Sequence, residues 1–190
     1  MRIGVYGGTF DPPHIGHLLL ACDALESLRL ERVTFVPSST QPLKADSPAL
    51  ASAADRLEMV RLATAGDARY TVEGAEIERE GLSYTVDTLE LLSRGNPGAE
   101  LFLLMGEDSL ATFERWRSPE RIRELATIGV MSRGDGAVNG ARRDGVLDVS
   151  TRRVDVSSTE IRARVRGGKS IRGFVPEAVE KFIQSRRLYR

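Results

Sequence analysis

Apolar residues along the chain fall into short strand-length blocks separated by stretches with helical spacing. Ile3, Val5 and Tyr6 form the first block, and Gly7 and Gly8 stop it. Asp11-Pro12-Pro13 excludes a helix through the turn, because proline fixes its own φ and biases the preceding residue away from the α region. A helix is expected to start around His14 to Gly16 and to run through Leu18–Ala21. Arg32–Pro37 reads as a second strand, and Ser38–Ala53, rich in Ser, Pro and Ala, as a long loop of the kind that is often functional. Ala54–Ala65 is helical, with Leu57, Val60 and Leu62 near one face, and Arg56 falls in this helix. Tyr70–Ile77 reads as a strand. Ser83 or Thr85 is expected to cap a helix through Leu92, with Asp87 in its first turn. Leu101–Met105, apolar throughout, has the pattern of a central parallel strand buried on both faces. Further on, the pattern predicts a short helix over Arg121–Ala126, a strand over Thr127–Ser132 and a glycine-rich, disorder-prone loop over Gly134–Val146. It also predicts a last strand at Val154–Val156 and a helix opened by Ser157. An amphipathic helix then runs to Ile183 with Pro176 at its first position, which proline favours.

Strands alternating with helices imply an α/β fold with an open, mostly parallel sheet, right-handed crossovers and helices on both faces. With 190 residues and no sharp boundary, a single domain over 1–190 is expected, residues 157–190 being its C-terminal helical part. Equal numbers of basic and acidic residues, 27 each, argue against nucleic-acid or membrane binding through bulk charge. Cys22 stands alone, which excludes an internal disulfide and fits a reducing compartment. No signal peptide precedes the first strand and no apolar run has membrane-spanning length, so a cytoplasmic location is expected. A homo-oligomer is left open.

A glycine-rich turn between a strand and a helix start lets backbone N–H groups approach an anion, and the helix end favours negative charge. His14 and His17, the only histidines, would share a helix face beside that turn, which suggests chemistry on a nucleotide phosphate. Each feature alone is common in α/β proteins, and a histidine pair is more often structural. Zinc is not expected, since there is no third histidine and only one cysteine. Asp108, just beyond the Leu101–Met105 strand, is equally a ribose acceptor or a helix N-cap. Trp116 lies in a charged stretch that favours stacking over packing. Ser157–Arg162 is either a second phosphate cradle or an ordinary S-x-x-E cap, and Lys44 is either a solvated loop residue or part of the site.

Gly7-Gly8-Thr9-Phe10-Asp11-Pro12-Pro13-His14-Ile15-Gly16-His17 closely resembles the GGTFDPxHxGH signature of the nucleotidylyltransferase superfamily, and Val156–Arg162 resembles its ISSTxIR motif. Ser83–Leu89, the Gly106-x-Asp108 step, Trp116 and Val175-Pro176 together resemble bacterial nicotinate mononucleotide adenylyltransferases. The resemblance implies a Rossmann-like sheet of the nucleotidylyltransferase type. It also implies transfer of AMP from ATP to nicotinate mononucleotide, with release of pyrophosphate. His14, His17 and Arg162 are then the catalytic residues. Gly8, Thr9, His14, His17, Gly106, Asp108, Ser158, Thr159 and Arg162 would hold ATP, and Lys44, Thr85 and Trp116 the mononucleotide. Mg²⁺ would arrive with ATP, with no dedicated metal site. Two departures stand out. Leu43 replaces the histidine the family usually carries before Lys44, and Arg117-Ser118-Pro119 stands after Trp116 in place of a more aromatic continuation. Pantetheine-phosphate adenylyltransferase shares both terminal motifs but not the Ser83–Leu89 stretch. A nucleotide-binding module without activity is disfavoured by the intact His14, His17 and Arg162.

Overall fold

The computed structural model describes residues 1–40, 48–79, 81–133, 142–143 and 146–190, with Arg133, Arg142 and Arg143 described by backbone alone. Strands β1 (Arg2–Gly8), β2 (Arg32–Pro37), β3 (Tyr70–Val72), β4 (Glu100–Gly106), β5 (Ala126–Arg133), β6 (Arg142–Arg143) and β7 (Val146–Thr151) form one sheet in the order β3-β2-β1-β4-β5-β7-β6. All neighbours pair in parallel except β6, which runs antiparallel to β7. The expected open, mostly parallel sheet is therefore present.

The helices are α1 (Ile15–Ser27), α2 (Ala53–Thr64), α3 (Ala75–Glu78), α4 (Thr85–Gly95), α5 (Glu107–Leu110), α6 (Pro119–Leu125), α7 (Ser158–Arg166) and α8 (Glu177–Ser185). The apolar run in β4 splits by strand alternation. Leu101, Leu103 and Met105 join Ile3 and Val5 under α4 and α6, through Val86, Leu89 and Ile122. Phe102 and Leu104 point the other way and join Tyr6 under α1, through Ala21, Ala24 and Leu25. A third cluster, with Met59, Ile161, Val179 and Ile183, binds α2, α7 and α8 together. Asp23 of α1 fastens this helix to the end of β7, accepting from the Arg152 backbone N–H at 2.8 Å and its Nη2 at 2.6 Å. Burial pushes the Asp23 carboxyl up, but these bonds outweigh it and hold its pKa below the usual carboxylate value.

Several expected elements differ. The block Tyr70–Ile77 is not one strand: β3 ends at Val72, and Gly74 starts the short helix α3. Neither Ser83 nor Thr85 caps α4. Tyr84 holds the N-cap position without a side-chain bond, and the Ser83 hydroxyl accepts instead from Ser39 N–H at 2.9 Å. Val154–Val156 is not a strand. The last parallel strand is β7, whose apolar positions Leu147 and Val149 alternate behind a glycine-rich approach that masked them. The chain leaves the sheet at Thr151, where Arg152 turns to Asp23. Pro176 is the N-cap of α8, one position before that expected. The loop expected over Gly134–Val146 is paired as β6 at Arg142 and Arg143; residues 134–141, 144 and 145 lie outside the described residues.

Gly4 sits where β1 is closest to its neighbours: a Cβ there would lie 2.7 Å from Leu30 Cδ1 and 3.0 Å from Leu104 Cδ1. Gly4→Ala should destabilise the fold by about 1–3 kcal/mol through overpacking. Urea denaturation checks this, and an unchanged midpoint would contradict it.

Candidate active site

In an open parallel sheet the ligand crevice lies beyond the strand C-termini where the order reverses. Here that place is between β1 and β4, since β2 and β3 lie on one side of β1 and β4, β5 and β7 on the other. The β1 strand ends at Gly8 and β4 at Gly106, so both expected glycines border the crevice. After Gly8 the chain makes a tight turn, with φ +51° at Phe10 and a cis Asp11–Pro12 bond. His14 follows as the N-cap of α1 in extended backbone (φ −143°, ψ 170°).

The two histidines are brought together. Their ring centroids lie 3.7 Å apart, and the His14 backbone N–H donates to His17 Nδ1 at 3.1 Å. That bond places the proton of neutral His17 on Nε2. Nδ1 of His14 is buried and has no hydrogen-bond partner. Gly16 is required between them, because a Cβ there would lie 2.9 Å from His14 Nδ1 and 3.3 Å from Val154 Cγ1. Burial lowers the His14 pKa to about 4. Burial, and then the neighbouring His14, lowers that of His17 well below its ordinary value.

The second motif meets the first. Ser158 Oγ, in the first turn of α7, donates to Pro12 O at 2.8 Å. Arg162 Nη1 donates to Asp11 O at 2.8 Å, and its Nη2 to Thr159 Oγ1 at 3.2 Å. Ser157 caps α7, accepting from Glu160 N–H at 3.2 Å. The cap is therefore present, and the α7 N-terminus stands against the histidine turn.

On the other side of the crevice, Thr85 opens α4 and Trp116 follows the 3₁₀ turn Phe113–Arg115. The Arg117 guanidinium lies 4.6 Å over the Tyr84 ring, so the residues flanking Trp116 and Thr85 touch. Trp116 is half-buried, 5.5 Å from the Phe113 ring, and packs on the core beside Tyr84. It is less exposed than its charged surroundings suggest. Asp108 is exposed in the first turn of α5; the N-cap there is Gly106, so the capping alternative falls away. Thr9 is held by its carbonyl, which accepts from Arg56 Nη1 at 2.7 Å. Lys44 and Leu43 lie outside the described residues.

Sequence reasoning missed three residues that build this site. Asp11 is buried, and its carboxylate accepts from Leu50 N–H (2.8 Å), Ala51 N–H (3.1 Å) and the Tyr189 hydroxyl (2.7 Å). Burial and the neighbouring Asp11 carboxylate push the Tyr189 hydroxyl pKa up. Arg56, 2% exposed, donates to three backbone carbonyls. Its one signal in the sequence is a charge beside the buried positions Met59 and Val60 of the same helix. Among the described residues, no group of three or more His, Cys, Asp or Glu could hold a metal ion, and no helix is long and apolar enough to cross a membrane.

A crevice at the β1–β4 switch point, bordered by a stacked histidine pair and a hydroxyl-rich helix start, defines an α/β protein of the nucleotidylyltransferase type. The chain belongs to the cytidylyltransferase-like family, whose model matches residues 5–164. It is 47% identical to a Gemmatimonas aurantiaca protein named probable nicotinate-nucleotide adenylyltransferase, over all of this chain and 93% of that one. It is 44% identical to a protein of the same name from Thermus thermophilus, over the whole of both. Among solved structures, nicotinic acid mononucleotide adenylyltransferase from Plasmodium falciparum, complexed with APC, superposes with a TM-score of 0.75 at 16% identity. That likeness, which speaks to the fold alone, covers 99% of this chain and 96% of the other.

The histidine pKa values fix a pH dependence of stability. Unfolded, both imidazoles return to about 6.5, so between there and about 4 the unfolded chain binds more protons than the folded one. Stability is therefore full above about 6.5 and falls on acidification toward 4, His14 alone contributing up to about 3 kcal/mol of that loss. Replacing His14 with Gln should flatten this part of the profile. Denaturation of the ligand-free protein at neutral and mildly acidic pH measures it, and equal losses in both proteins would contradict the assignment.

Proposed function

We propose that this chain transfers AMP from ATP to nicotinate mononucleotide, giving nicotinate adenine dinucleotide and pyrophosphate in NAD biosynthesis. The observation that carries this reading is the meeting of the α7 N-terminus with the histidine turn, through Ser158–Pro12 and Arg162–Asp11. The full-length relatives named for this reaction give it its substrates.

The mononucleotide 5′-phosphate attacks the α-phosphorus of ATP in line, the P–O bond to the β-phosphate breaks, and pyrophosphate leaves. A phosphate dianion is already nucleophilic, so the residues need to supply positioning and charge stabilisation rather than a general base. His17, its proton on Nε2, donates to an α-phosphate oxygen as charge builds there. The unpartnered Nδ1 of His14 shows a ring whose polar edge the protein itself leaves unsatisfied, and its other edge serves the phosphates. Gly8 and Thr9 bring backbone close to the phosphates. The start of α7, with Ser158, Thr159 and the remaining N–H groups of Arg162, takes the β- and γ-phosphates. Gly106 and Asp108 border the ATP ribose. The contact between Arg117 and Tyr84 supports a joint role for Trp116 and Thr85 at the pyridine ring, with Lys44 on the mononucleotide phosphate. Mg²⁺, a hard cation, would offset the triphosphate charge. With two neutral imidazoles at the turn and no carboxylate cage among the described residues, its ligands would be phosphate oxygens and water. A cytoplasmic location belongs to the same reading.

ATP–pyrophosphate exchange with each candidate acceptor tests the function. Exchange with nicotinate mononucleotide is expected and with phosphopantetheine is not; the reverse result would overturn the reading. His17→Asn keeps an acceptor for the His14 N–H while removing the Nε2 donor. It should lower turnover by about 10²–10³-fold with ATP affinity much less affected, and single-turnover rates near wild type would contradict the role.

Choosing nicotinate over nicotinamide depends on a donor mismatch. N–H groups placed for a carboxylate leave one facing an amide NH₂, which costs about 1–3 kcal/mol. A preference for nicotinate mononucleotide of at least about tenfold in kcat/KM is expected from that mismatch. Trp116→Ala should raise KM for the mononucleotide much more than for ATP. Steady-state kinetics with both mononucleotides reads both effects, and equal use of the two would refute the donor argument.

A further inference from the structure

Arg56 is among the largest fully buried side chains, and no part of the proposed chemistry uses it. Its guanidinium reaches across two loops. Nη1 donates to Thr9 O at 2.7 Å and to Ser38 O at 2.6 Å, and Nη2 donates to Ser39 O at 3.0 Å. Thr9 belongs to the turn after β1, and Ser38 and Ser39 to the segment after β2. The second segment continues the connection. Ser39 N–H donates to Ser83 Oγ at 2.9 Å, and Ser83 N–H donates back to Thr40 O at 2.9 Å. Ser83 stands two residues before Thr85 at the start of α4. One guanidinium therefore lies on a continuous hydrogen-bonded path from the histidine turn to Ser83, at the entrance to α4.

The choice of residue is informative. A buried guanidinium is costly to desolvate, and burial pulls the Arg56 pKa down. An apolar residue would fill the volume at lower cost but would leave three carbonyls buried without donors. Lysine offers a point charge and no planar fork, so it cannot span carbonyls in two loops. Holding Thr9 O also fixes the plane of the Thr9–Phe10 peptide. Because C=O and N–H point oppositely in a trans peptide, the Phe10 N–H is aimed away from Arg56.

We propose that Arg56 is a positioning residue that sets the ATP-side turn and the mononucleotide-side entrance to α4 at a fixed separation. The proposal rests on the adenylyl transfer argued above. In that reaction the nucleophilic phosphate and the α-phosphorus are carried by opposite sides of the crevice, and an error of about 1 Å between them costs on the order of 10²-fold in rate.

The test compares wild type, Arg56→Lys, Arg56→Ala and Ser83→Ala, with thermal midpoints recorded so that rates are read only where each protein is folded. Arg56→Lys should lower kcat/KM by at least about 30-fold and raise KM for both substrates. Arg56→Ala should regain kcat/KM when guanidinium chloride is added at low millimolar concentration at an unchanged thermal midpoint, whereas a purely stabilising role would move the midpoint together with the rate. Ser83→Ala, which removes the bond from Ser39 N–H and keeps the backbone bond to Thr40 O, loosens the path only on the α4 side and should raise KM for the mononucleotide and leave that for ATP unchanged. A folded Arg56→Lys with kcat and both KM values within about threefold of wild type overturns the proposal. If Arg56→Lys does not fold, Ser83→Ala decides: unchanged KM for the mononucleotide overturns it. Wild type that fails to join ATP and nicotinate mononucleotide defeats the functional reading, and this proposal with it. An active wild type with an unaffected Arg56→Lys defeats only the proposal.

Discussion

The site depends on how Asp11 is held. Its buried carboxylate takes two backbone N–H groups from the segment before α2 and the hydroxyl of Tyr189, while its carbonyl takes Arg162. One residue thus joins four parts of the chain: the turn after β1, the end of the loop after β2, α7 and the segment after α8. A carboxylate in such a place would be costly if unpaired, and here its oxygens meet three donors. Moving it would disturb at once the turn that carries the histidines, the Arg162 guanidinium and the segment that enters α2.

The electrostatics of the turn follow from the same packing. Burial lowers the pKa of both histidines, so the free site presents neutral rings rather than cations. Positive charge near the crevice comes from Arg162, whose guanidinium is anchored to a carbonyl and not to a carboxylate. No acidic partner competes there with a phosphate for that guanidinium among the bonds it makes to Asp11 O and Thr159 Oγ1. A chain with zero formal net charge can in this way still carry local positive charge beside the histidine turn.

The parallel sheet, β1, β2, β4 and the histidine turn were legible in the sequence because their signals are local. Glycines, prolines and alternating apolar residues declare a strand and a turn within ten residues. Ser157 declared its cap for the same reason. What stayed hidden depends on partners far away. Asp11 looked like a turn residue, and its partner Tyr189 is 178 residues on; Arg56 stood only as one residue of a helix, since its three acceptors lie in other segments. The strand β7 was hidden because Asp148 and Ser150 alternate with Leu147 and Val149 behind a glycine-rich approach, while Val154–Val156 imitated a strand without having a neighbour to pair with. Trp116 was expected to be exposed from its charged neighbours, but the 3₁₀ turn Phe113–Arg115 brings its ring against Phe113 and the core, which the local charge pattern does not encode.

The bond between Ser158 and Pro12 spans 146 residues. A chain emerging from the ribosome therefore displays both histidines long before it can complete their surroundings. The first half of the sheet can pair early, since β1, β2 and β3 are close in sequence, but the carbonyls of Asp11 and Pro12 wait for α7, and the Asp11 carboxylate waits for Tyr189. The surroundings of the histidine turn are thereby completed only once the chain has run past Tyr189, and a product cut off before α7 would carry an intact amino-terminal signature without the bonds that hold it.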